Sequence, residues 1–197
     1  MKISFLAAFL MALSISEALG ARLLFPKEPG IHPLRSPGES RASHFAVHVP
    51  PSFNPRVTRP LLVVLHGSGT NGERYIKDWS VELGQDDMVI LAPNSKDKDG
   101  YWHSSDSQNI LDLISKIKQA YQISPRRIFI AGFSSGGWMT WHMALRHPRT
   151  FRAAAVLAGW TEPEMIEEAI ENGWRTPAFL IIGGSQDRSV PVDIGHI

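Results

Sequence analysis

Gly132-Phe133-Ser134-Ser135-Gly136-Gly137 follows directly on the apolar run Arg127-Ile128-Phe129-Ile130-Ala131, and a helical pattern begins immediately behind it. A short, continuous apolar run of this kind reads as a strand buried on both faces. A strand that turns straight into a helix forces the residue at the corner into a strained backbone conformation. Glycines two positions to either side permit the close approach of strand and helix that such a corner needs. The corner residue is Ser134. The turn lifts its hydroxyl above the sheet, at the positive end of the following helix, where a nucleophile is placed. The pentapeptide alone reads equally as a loop of small residues. Flanked by a buried strand and an amphipathic helix, it reads as a nucleophile turn.

Working outward, apolar runs at residues 61–65, 88–92, 153–157 and 178–182 predict further buried strands, and the alternating stretch 44–49, stopped by Pro50-Pro51, predicts another. Between them, Ile110, Leu111, Ile114, Ile117 and Tyr121 fall at helical spacing behind Ser105-Asp106-Ser107. Helices are also expected over residues 135–146 and 165–172, the latter headed by Thr161-Glu162-Pro163-Glu164. Strands alternating with helices predict the α/β class: a mostly parallel sheet with helices on both faces. Ligand sites in such sheets lie at the carboxyl ends of the strands. No internal repeat is visible. Residues 21–43 are rich in proline, glycine and basic side chains and read as an irregular leader, so the domain is expected over 44–197.

The first twenty residues read differently. Met1-Lys2 gives a positive start, residues 3–15 are almost wholly apolar, and Ala18-Leu19-Gly20 supplies small residues at a cleavage site. This predicts a secretory signal peptide cut after Gly20, hence a secreted or periplasmic protein. The apolar run is short for a membrane-anchoring helix, so no stable membrane insertion is expected. The formal net charge is +1 with both signs interspersed, which gives no electrostatic footprint for nucleic acid. Cysteine is absent, which excludes disulfides, a thiol nucleophile and thiolate metal ligands.

A serine nucleophile needs a site for the anion that forms when it attacks a carbonyl. The run 61–65 ends in His66-Gly67-Ser68-Gly69, a turn able to aim a backbone N–H at the nucleophile. The two expected donors are the N–H groups of Ser68 and Ser135. His66, at the end of an early strand, is expected to hold the turn rather than act as base.

The order His-Gly-Ser-Gly, then Gly-Phe-Ser-Ser-Gly-Gly, then Gly184-Ser185-Gln186-Asp187-Arg188-Ser189-Val190-Pro191 resembles secreted esterases of the α/β-hydrolase superfamily. The groups most similar are the carboxylesterase/phospholipase, polyhydroxyalkanoate depolymerase and feruloyl esterase-like families, over about residues 45–197. The resemblance implies a serine ester hydrolase acting on a small-molecule or polymeric ester through an acyl-Ser134 intermediate. It also implies Asp187 as the acid that orients the base. A capping aspartate is the alternative reading of Asp187, and Asp193 is a weaker candidate for the acid.

The triad of this superfamily runs serine, acid, histidine. The only histidine after Asp187 is His196, in a segment expected to begin a helix that points it away from Ser134. His103, His142 and His147 also fall outside the expected position. The sequence therefore reads as a hydrolase incomplete at its C-terminus, lacking the last helix-strand unit and impaired for want of its base. Trp102, Phe133, Trp138 and Trp160 could shape an acyl pocket or simply fill core. No metal or organic cofactor is implied, since no histidine and carboxylate pattern has ligand spacing. A prolyl-oligopeptidase-type peptidase and a non-catalytic hydrolase-fold binding protein remain as alternatives.

Overall fold

A computed structural model of the chain describes residues 24–38, 40–83, 87–173 and 175–190. The apolar runs become a seven-stranded sheet: β1 Gly30–Arg35, β2 His44–Val49, β3 Arg59–Leu65, β4 Val89–Pro93, β5 Ile123–Phe133, β6 Ala153–Leu157 and β7 Ala178–Ile182. Four α-helices lie between them: α1 Gly72–Leu83, α2 Ser107–Tyr121, α3 Ser135–Arg146 and α4 Pro163–Glu171. The strand order is β1-β2-β4-β3-β5-β6-β7. Strands β3 to β7 run parallel, while β1 and β2 are antiparallel to their neighbours.

Because side chains alternate across a strand, β3 feeds two cores at once. Leu61, Val63 and Leu65 face Ile110, Leu113 and Ile117 of α2 and Met139 and Met143 of α3. Leu62 and Val64 face the opposite side with Ile76 of α1, Ile90 and Ala92. Each such side chain stabilises the fold by about 1.5–3 kcal/mol relative to leaving it in water. Helix α4 packs beside α3, where Met165 and Ala169 meet Trp141 and Leu145.

Two features depart from the sequence reading. The segment expected to be an irregular leader contains β1, paired along its whole length with β2, and a 3-10 turn at Arg41–Ser43. The sheet therefore begins at residue 30, not 44. Pro33 hides this strand from a sequence reading, yet proline is tolerated there because β1 is an edge. Helix α1 was also not expected: it opens on a glycine, and among its described side chains only Ile76 is fully buried. The sequence expectations for residues 1–20 and for Asp193 and His196 concern positions outside the described residues.

Candidate active site

The turn between β5 and α3 has the strained corner that its sequence predicts. Ser134 sits at φ 54°, ψ −119°, a positive-φ region that L-residues rarely adopt. Its N–H donates to Leu157 O at 2.9 Å, which ties the corner to the end of β6. A side chain at Gly132 would collide with the Gly136 carbonyl, and one at Gly136 would collide with the Leu65 carbonyl. Both glycines are thus required by close approach of backbone, and they draw α3 down onto β3 and β5.

Register completes the geometry. Leu65 of β3 pairs with Gly132 of β5, so the turn 66–69 stands beside the Ser134 turn. The Phe133 ring lies over Gly67, where an added Cβ would be 3.1 Å from Phe133 Cδ1. Ser135, the first residue of α3, has no intrahelical partner for its N–H. Neither that N–H nor the N–H of Ser68 is spent in a hydrogen bond among the described residues. Gly69 N–H donates to Asp99 O at 2.7 Å and fixes the turn from behind.

Trp102 links the two sides of this arrangement. Its backbone N–H donates to Ser135 Oγ at 3.0 Å, and its indole Nε1–H donates to His66 O at 2.8 Å. Trp102 is buried in the core beneath the site, which favours a clamp between the turns over the acyl-pocket alternative. His66 is fully buried, with Nδ1 2.8 Å from Gly67 O and its ring 5.0 Å from that of Trp102. Burial, which penalises the charged form, pushes its pKa down to about 4. His66 is therefore a neutral strut in the turn.

The outer side of the turn and the loop beyond it are braced by residues to which the sequence reading gives no role in the site. Arg41 donates to Thr70 O at 2.5 Å, to Ser95 O at 3.1 Å and to Ser95 Oγ at 2.9 Å. Asn94 Oδ1 accepts the Gly72 N–H at 2.6 Å. Asp106, fully buried, accepts N–H bonds from Lys96 and His103 at 3.0 Å each. Arg41 lies in the segment whose composition reads as a leader, so no sequence signal separates it from other surface arginines.

Asp187 lies in the loop after β7, at the carboxyl end of the sheet. Its Oδ1 accepts the N–H groups of Ser189 at 2.8 Å and Val190 at 3.0 Å. These backbone donors, Val190 foremost, hold its carboxyl below the usual range, so it is ionised. One strand, β6, separates the strand that precedes Ser134 from the one that precedes Asp187. Two strand spacings set the ends of β5 and β7 roughly 10 Å apart. Among the described residues no histidine hydrogen-bonds to Ser134 or Asp187: His142 stacks on Trp138, and His103 stands 3.9 Å from an Asp97 carboxylate oxygen.

Of the aromatic candidates, Phe133 is 46% exposed beside Ser134 and Trp160 is half-buried in the loop after β6. Trp138 donates its indole N–H to Glu162 at 2.7 Å.

The same architecture recurs in solved structures. Acetyl xylan esterase from Aspergillus awamori superposes with a TM-score of 0.71 at 19% identity, covering 84% of this chain and 76% of that one. The feruloyl esterase module from Clostridium thermocellum, complexed with sinapinate, gives 0.65 at 17% identity, covering 84% and 70%. This chain has the α/β-hydrolase fold.

Residues 95–180 match the model of the prolyl oligopeptidase family. A protein described as probable feruloyl esterase C from Aspergillus flavus is 27% identical over 161 residues, covering 77% of this chain and 57% of the relative. Poly(3-hydroxyalkanoate) depolymerase C from Paucimonas lemoignei is 27% identical over 126 residues, covering 57% of this chain and 30% of the relative. The chain thus spans little more than half the length of these curated relatives, or less.

Proposed function

We propose that this chain is built to cleave carboxylic esters, by acyl transfer from the ester to Ser134 and then to water. The observation that carries the reading is the backbone of Ser134, held at φ 54° between a buried strand and a helix, with the His66–Gly69 turn against it. In this reading the N–H groups of Ser68 and Ser135 receive the oxyanion. Asp187 orients the base and stabilises its charged form. Phe133 and Trp160 flank the acyl group. The resemblance to proteins named feruloyl esterase and polyhydroxyalkanoate depolymerase supports an ester substrate, small or polymeric. The apolar leader at residues 3–15 supports export before the enzyme meets it.

The base stands outside this set. No described histidine reaches Ser134, so the 197-residue chain by itself is expected to turn over esters poorly. Loss of one triad member commonly costs on the order of a millionfold in turnover. The test is hydrolysis of 4-nitrophenyl acetate and methyl ferulate by this chain, with and without millimolar free imidazole. With the protein-free imidazole rate subtracted, a saturable imidazole-dependent rate, abolished in Ser134→Ala, is the expected result. Equal rates for the two proteins in imidazole would refute Ser134 as nucleophile. Robust Ser134-dependent turnover without imidazole would refute the impairment.

A second reading has one observation in its favour, the prolyl oligopeptidase match over residues 95–180. A proline-containing peptide nitroanilide, run beside the esters under the same imidazole conditions, separates the two. Failure of both substrate classes, together with no labelling by a fluorophosphonate, would leave a non-catalytic binding protein.

A further inference from the structure

At the opposite end of the sheet from Ser134 lies a concavity of about 460 Å³ whose walls include Arg126, Arg149, Arg152 and Arg175. Topology brings these residues together from distant positions in sequence. Arg126 lies in the first turn-ward residues of β5, Arg152 immediately precedes β6 and Arg175 precedes β7. These strands are parallel neighbours, so their starts lie side by side. Arg149 comes from the turn between α3 and β6. Pro125, Pro148 and Pro177 stiffen the walls, and no acidic residue lines them.

This concentration of one sign stands out in a chain with 20 basic and 19 acidic residues. Two arginines elsewhere meet carboxylates, Arg146 with Glu168 and Arg59 with Asp87, and Arg35, Arg41 and Arg127 bond to backbone carbonyls. None of the four arginines of the concavity makes an ion pair or a side-chain hydrogen bond among the described residues. Four like charges around one hollow repel one another, and a bound anion removes that cost. Guanidinium groups present paired N–H donors whose geometry matches carboxylate and phosphate oxygens two at a time.

We propose that this concavity is a binding site for a compact polyvalent oxyanion, one carrying two or more carboxylate or phosphate groups. It is independent of the reaction at Ser134, since the two lie at opposite ends of the strands. Calorimetric titration of the full chain with tripolyphosphate and, separately, with citrate tests it and distinguishes the two sources of charge. One-to-one binding of at least one probe is expected. The double substitution Arg126→Ser/Arg152→Ser should weaken it at least about tenfold, and raising sodium chloride should weaken it further. A charge-matched control, Arg35→Ser/Arg74→Ser, should bind as the parent does. Arg149→Lys keeps the charge but loses the paired donors, and should weaken binding by about three- to fivefold. The proposal is overturned by absence of binding to both probes, or by equal weakening in the two double variants.

Discussion

At the scale of single residues, the site depends on groups that stay uncharged or stay strained. Ser134 holds a positive φ because β5, α3 and the Leu157 carbonyl fix it from three sides. His66 holds the neighbouring turn only as a neutral imidazole. The native protein resists protonating His66 until about pH 4, whereas in the unfolded chain an unhindered histidine takes its proton near pH 6.5. The unfolded state therefore binds more protons between these values, and acid favours unfolding. The contribution of His66 is complete above pH 6.5 and falls by roughly 3 kcal/mol as pH drops to 4. Urea unfolding at a series of pH values should show this slope in the parent and lose the His66 share of it in His66→Gln, leaving the shares of His48, His142 and His147, which burial also holds below their ordinary value. An equal slope in both would remove His66 as its source.

At the scale of elements, the decisive contact is between the start of α3 and the end of β3. The helix begins over Leu65, and only an absent side chain at Gly136 lets it settle there. Gly136→Ala should destabilise the protein by about 3 kcal/mol or more, since the new methyl meets backbone carbonyls of Leu65 and His66 rather than a movable side chain. Thermal unfolding monitored by circular dichroism measures it, and a change within the range of ordinary surface substitutions would refute the close-approach argument. The strained turn at Ser134 was legible from sequence because its determinants are local: a strand, two spaced glycines and a helix in one stretch. Strand β1 and the Arg41 brace were not, because both act on partners far along the chain.

At the scale of the whole molecule, β7 is the outer strand of the sheet among the described residues. It carries Leu180, Ile181 and Ile182 at 57%, 45% and 51% exposure and no charged side chain. On the α1 side, Leu180 joins Trp79, Leu83, Met88, Phe129 and Ala155 around an apolar hollow of about 340 Å³. An apolar edge with unpaired backbone groups templates pairing between chains. The 197-residue chain should therefore self-associate on warming, and Leu180→Lys should raise the onset temperature of light scattering. Unchanged scattering in that variant would place the sticky surface elsewhere.

The sequence by itself determined the α/β alternation, the strands that build the parallel sheet and the position of Ser134. These follow from the periodicity of apolar residues and from glycine sterics, which act within a few residues of chain. Tertiary structure alone decided that Trp102 spans the Ser135 and His66 turns, that Arg41 braces the latter from a segment read as leader, and that four arginines share one hollow. Each of those arrangements depends on strand order and register, which place residues side by side however far apart they stand in the chain.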